Sequence, residues 1–340
     1  MGRSALGWIL RGAVVGAAAL LLAGCEDNLS SNADFKALAP IPPETLALME
    51  ARRTSKAAPV LIRTFKKESE LELWKQDDSG KFVLLKTYPM CRWSGQLGPK
   101  IREGDRQVPE GFYAVTPGMM MPNSAYYLSF GIGFPNAYDR ANGRTGNSIM
   151  VHGVCSSAGC FSMTDKQIAE IYATVREAFA GGQHAIQLQS FPFRMTAENL
   201  ARARLDPNIA FWRELKHGAD HFEVTKREVP VGVCAKRYVF ASAKGGARLD
   251  PNAACPAMNE DSQVESLVSS KENRDLTEIA SLAAKGMKPI QIVYADGGQN
   301  PVWKGKFPDV SQPDALATPP KEIVLDPDKA QGSVLVKAKP

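Results

Sequence analysis

The feature that most constrains this chain is a series of short apolar runs. Residues 60–65, 71–74, 82–88, 112–115 and 126–130 each hold a few hydrophobic positions, a length that suits strands and is too short for helices. Turn signals such as Asp77-Asp78-Ser79-Gly80 and Pro117-Gly118 separate them, as antiparallel β structure requires. A more helical half follows. Residues 148–151 read as one more strand, 165–179 as an amphipathic helix stopped by Gly181-Gly182, and 185–191 as a strand, before helices at about 197–204 and 207–221. This order predicts an α+β, β-rich mixed domain with flanking helices over 58–240, its core at 58–194. Beyond it the composition shifts to Ala, Gly and Asn, then to proline. Apart from a helix at 262–285 and a strand at 290–294, residues 241–340 are expected to be a low-order, partly disordered accessory tail.

The 41 Lys and Arg against 36 Asp and Glu leave a net charge of +5 with no long basic run, so nucleic acid is not an expected partner. Residues 1–24 have the form of a signal peptide: Arg3 and Arg11 precede an uncharged run over 12–24 that is shorter than the about 20 residues a membrane helix needs. The run closes on Leu22-Ala23-Gly24-Cys25, which resembles the lipobox of bacterial lipoproteins. That resemblance implies lipidation of Cys25, membrane anchoring through the lipid, and a periplasmic location, with Glu26 leaning toward the outer membrane. Residues 25–57 then read as a tether.

Chemistry concentrates between Ser148 and Asp165. A strand delivers His152, a loop of small residues follows, and Cys160 precedes a helix. A thiolate is the nucleophilic form of cysteine, and an imidazole or a helix amino terminus nearby favours it. The small residues Gly153, Ser157, Ala158 and Gly159 allow backbone amides, chiefly those around 158–160, to approach the oxyanion of a tetrahedral intermediate. His-Gly followed by Ser-x-Gly-Cys resembles the active-site signature of L,D-transpeptidases of the YkuD type. Upstream, Val108-Pro109-Glu110-Gly111-Phe112-Tyr113 is similar to the family's Thr-Pro-x-Gly-x-Phe/Tyr strand, and Ser94-Gly95 with Gly98-Pro99-Lys100 to the preceding turn.

The commoner family pattern has His before Gly-Cys and Arg two residues after the Cys; here Ala158 and Ser162 stand there, and the compact spacing resembles the YafK branch. The resemblance implies a YkuD-like fold and acyl transfer on peptidoglycan stem peptides through a Cys160 thioester. His152 would act as proton donor and acceptor, no cofactor or metal would be needed, and carbapenems would acylate Cys160. A carboxylate-binding Arg must come from elsewhere, and Arg144 is the candidate. Three readings follow. The first is an L,D-transpeptidase; the second is an L,D-endopeptidase cutting links between peptidoglycan and a wall-linked envelope protein; the third is a non-enzymatic wall-binding lipoprotein.

Other residues carry blander expectations. His152, Cys155, Cys160 and Cys91 would fit a closed zinc site that silences the thiol. Cys91 and Cys155 are read either as a disulfide or, in preference, as small buried thiols. Cys234 and Cys255 are expected to form a disulfide. His217 and His221, four apart on a helix, lack the Glu of a zincin pair and are placed on the surface.

Overall fold

The computed structural model describes residues 35–307 and 310–326. The signal segment at 1–24, the lipid attachment at Cys25 and the stretch 327–340 lie outside the described residues. Among the described residues no helix is long and apolar enough to cross a membrane.

A five-stranded sheet forms the centre, in the order β3 (Phe82–Pro89), β2 (Glu70–Gln76), β1 (Val60–Phe65), β9 (Ile186–Phe191), β4 (Gly111–Val115). Strand β1 runs parallel to β9 and antiparallel to β2. Every β1 residue is buried, Arg63 and Thr64 included, because both faces of the sheet are covered. Val60 and Ile62 enter one core, with Val151, Phe161 and the apolar face of α3 (Asp165–Ala180). Leu61 and Phe65 enter the other, with Trp212, Leu215 and Phe222 of α5 (Ile209–Thr225). Side-chain alternation thus divides one strand between two cores.

A second sheet, β5 (Met120–Met121), β6 (Ser129–Gly131), β7 (Met150–His152) and β8 (Phe161–Ser162), lies over the first core. Helix α3 begins at a capping box in which Thr164 and Gln167 satisfy one another's backbone N–H groups, as the Thr-x-x-Gln spacing favours.

A buried ion pair ties the sheets to the segment in front of the site. Lys66 Nζ and Glu110 Oε1 are 2.9 Å apart with both side chains inaccessible to solvent. The ammonium also donates to the carbonyls of Gly98 and Val108. Glu110 accepts from Gly98 N at 2.7 Å and from Trp212 Nε1 at 2.8 Å. Every charge in this knot is satisfied, the condition under which a buried pair can persist.

More of the tail is folded than its composition suggests. Helix α6 (Ser262–Ala284) packs on α4 (Ala197–Ala203) and α5, and β14 (Ile290–Val293) pairs with β15 (Lys321–Val324). Composition registers the polarity of α6, on which Val268 is the one buried residue, but not the ion pairs that seat it. Lys216 and Lys271 bridge α5 and α6 through Asp220 and Asp275.

Candidate active site

The parallel register of β7 and β8 sets Val151 against Phe161 and His152 against Ser162. Continued back one residue, it brings Cys160 beside Met150, one pleat from His152. The loop between the strands is tightly bound. Val154 and Cys155 have φ of +67° and +38°, a left-handed conformation that non-glycine residues adopt only when held there. Asp165 Oδ1 accepts the Val154 N–H at 2.9 Å, and Cys155 is disulfide-bonded to Cys91. At Gly153 a Cβ would lie 2.6 Å from Asp165 Oδ1 and 3.0 Å from the Tyr126 carbonyl, so close approach calls for glycine there, while Gly159 has φ of +130° and is favoured by its backbone conformation.

The Cys91–Cys155 bond corrects the preference for two buried thiols and removes the closed zinc reading, since it consumes two of that site's four ligands. Cys234 and Cys255 are also bonded, with Cα atoms 5.1 Å apart. Cys160 is the free cysteine among the described residues, and it is half-buried. The bond spans 64 residues, and closing a loop of that size contributes about 4 kcal/mol in the chain-entropy account. Reduction, or Cys91→Ala with Cys155→Ala, is therefore expected to lower the urea midpoint and to loosen the catalytic loop; an unchanged midpoint would show that the loop is held by other means.

His152 is buried, its ring centroid 4.5 Å from that of Tyr126. Nδ1 lies 2.6 Å from the Gly153 carbonyl, so the ring hydrogen sits on Nδ1 and the lone pair on Nε2. Nε2 faces Ser162 Oγ at 3.4 Å, and that hydroxyl donates to the Ser156 carbonyl. Burial holds the imidazole below its ordinary pKa. Cys160 Sγ donates to the Ser148 carbonyl at 3.8 Å and makes no hydrogen bond to the imidazole. Burial also pushes the thiol up, opposed by the Met150 backbone and the Lys100 ammonium. The resting pair is thus neutral thiol and neutral imidazole.

This corrects the expectation that a helix end depresses the thiol. Cys160 precedes β8, and α3 starts at Asp165, while burial, the larger effect, pushes the thiol up. Iodoacetamide alkylation of Cys160 is expected to accelerate with pH to a midpoint above the ordinary thiol value of about 8.5. Lys100→Ala is expected to move that midpoint further up. A plateau already reached below neutrality would contradict this and indicate a preformed ion pair.

The amides expected to hold an oxyanion are partly engaged. Ser157 Oγ accepts from Gly159 N at 3.3 Å and Cys160 N at 3.2 Å and donates to the Cys160 carbonyl at 2.7 Å. Ser94 Oγ stands 3.0 Å from it. The Ala158 amide is outside this clasp, and its side chain is exposed. Arg144 is not in the site. It is buried, bonds Asp139 Oδ1 at 3.0 Å and stacks over Tyr138 and Phe211, so it holds its own loop and does not face a substrate.

Two features were missed in the sequence. Arg106 donates to the Ser157 carbonyl at 3.1 Å, with its side chain 40% exposed, and is a partly exposed cation beside the catalytic loop. The tail also reaches that loop: Asp296 Oδ2 binds Arg92 at 2.8 Å and Arg106 at 2.7 Å, and Oδ1 accepts Gly95 N. Ser311 Oγ accepts Ser157 N at 2.9 Å.

Comparison with known proteins decides the family. Residues 61–186 match the model of the YkuD L,D-transpeptidase catalytic domain. Over 192 residues the chain is 43% identical to the putative L,D-transpeptidase YafK of Escherichia coli K12, covering 56% of this chain and 78% of that protein. The chain belongs to the YafK-like L,D-transpeptidase family. The YafK of Escherichia coli O157:H7 matches to the same extent. Among solved structures, the helical cell shape determining protein Pgp2 of Campylobacter jejuni is 15% identical with a TM-score of 0.33, covering 73% of this chain and 80% of that one. The L,D-transpeptidase match spans β1 to the start of β9 and so contains His152, Cys160 and the loop between them.

Proposed function

We propose that the chain is a periplasmic, lipid-anchored cysteine acyltransferase acting on peptidoglycan stem peptides. The observation that supports this best is the half-buried free thiol of Cys160 one pleat from an imidazole whose Nε2 carries the lone pair. Cys160 Sγ attacks the carbonyl at the L-centre of the diaminopimelate in the stem. As the C–S bond forms, the thiol proton passes to His152 Nε2 and then to the departing amine, and the C–N bond breaks. An incoming amine, or water, reverses the sequence and frees the thiol. The exposed face of Arg106 suits a stem carboxylate, the role first expected of Arg144. Gly159 and Cys160 N–H become oxyanion donors if Ser157 Oγ yields them.

Muropeptide profiles after expression with an intact amino terminus test the direction of transfer. An L,D-transpeptidase raises 3-3 crosslinked dimers, whereas an L,D-endopeptidase lowers protein-linked stems. A profile unchanged in both respects, with the protein exported, would contradict enzymatic function and leave the wall-binding lipoprotein reading.

A further inference from the structure

Of the two histidines expected on the surface for want of a zincin Glu, His217 is partly exposed but His221 is buried. On α5, His217 and His221 stand four residues apart with ring centroids 4.9 Å from one another, on one face of the helix as that spacing dictates. His221 is only 4% exposed, and the ring of Phe240 covers both imidazoles. Helix α6 crosses this face and brings Glu265 and Glu272. Glu272 Oε1 accepts from His217 Nδ1 at 2.7 Å. Glu265 Oε1 lies 3.3 Å from His221 Nε2, yet that nitrogen is buried without a hydrogen-bond partner. A buried polar nitrogen left in this state calls for an explanation. The ligand atoms offered by His217, His221 and Glu265 all lie within 4.8 Å of one another.

We propose that His217, His221 and Glu265 bind a divalent transition metal of the zinc class, with Glu272 orienting His217. Two imidazoles and a carboxylate are a zinc donor set, at bond lengths of about 2.0–2.2 Å. Such bonds draw the three atoms to about 3.5 Å apart, a movement open to Glu265 because its side chain is 30% exposed. The contact of Glu272 with His217 fixes the ring and its tautomer, as a carboxylate behind a metal-bound histidine does. The site lies across the α5–α6 contact, and the segment that follows α6 carries Asp296 and Ser311 to the catalytic loop. The metal therefore acts as a staple for the tail and has no part in the acyl transfer.

The test uses the full chain, stripped with chelator after its free thiols have been alkylated so that they do not compete for metal. Zinc content after re-addition, cobalt absorption in the visible range and the thermal midpoint are read together. One equivalent of zinc at micromolar free metal, a tetrahedral cobalt spectrum and an upward shift of the midpoint are expected. Glu265→Gln, a mild change at a partly exposed side chain, is expected to weaken zinc binding by about tenfold or more, and Glu272→Gln by about 10- to 100-fold. His221→Gln is expected to abolish the cobalt spectrum. Substoichiometric zinc at that concentration, or affinity unchanged in Glu265→Gln, would overturn the proposal even if His221→Gln failed to fold.

Discussion

Cys160→Ala is expected to reduce turnover of purified sacculi by about 10⁴-fold or more, to the floor of the assay, because no other free thiol stands among the described residues to accept the acyl group. Folding is expected to survive, since the polar contacts of Sγ are with backbone alone, the Ser148 carbonyl at 3.8 Å and Met150. The loss should therefore appear in rate with the urea midpoint unchanged. His152→Ala is expected to fall nearly as far at neutral pH, where burial keeps the thiol protonated and no base remains to take the proton. At alkaline pH the thiol ionises unaided, so that variant should recover part of its rate while Cys160→Ala does not. The double variant should lose no more than Cys160→Ala alone, as residues acting in one step are not additive.

Glu110→Ala is expected to be the most destabilising single change outside the cores. It would leave the fully buried Lys66 ammonium without its counter-ion, and Gly98 N and Trp212 Nε1 without an acceptor. Removing one partner of such a pair costs about 3–5 kcal/mol, a large share of the 5–15 kcal/mol that holds an ordinary domain together. Lys66→Met with Glu110→Leu should recover part of the loss by removing the charge as well, but not all of it, because the two N–H groups stay orphaned. Urea denaturation of the three variants reads this directly. A loss below about 1 kcal/mol for Glu110→Ala would mean that water reaches the pair and that the ion pair is not the anchor of the 94–110 segment.

What was legible in the sequence and what was not divide along a physical line. Strand β1, helix α3 and the His152–Cys160 loop announce themselves through local pattern: a short, mostly apolar run, a capping box, small residues between two reactive side chains. The helix read at 262–285 and the strand at 290–294 correspond to α6 at Ser262–Ala284 and β14 at Ile290–Val293 for the same reason. Long-range pairings left no such signal. Arg106 meets Asp296 across 190 positions, and Ser157 meets Ser311 across 154. His221 finds Glu265 on a helix whose polar composition suggested solvent. Arg144 looked available because its spacing cannot reveal the buried Asp139 carboxylate that claims it. The state of the thiol was misjudged in a similar way: the short distance in sequence from Cys160 to a helix start gave no weight to β8, which intervenes.

The most direct measurement of the central claim, that Cys160 is an acylatable nucleophile served by His152, is the intact mass of the protein after incubation with a carbapenem. A single covalent adduct is expected, mapping to the peptide that contains Cys160, absent from Cys160→Ala and slow to form in His152→Ala at neutral pH. A folded wild-type protein that acquires no adduct, or acquires it equally in Cys160→Ala, would contradict the account.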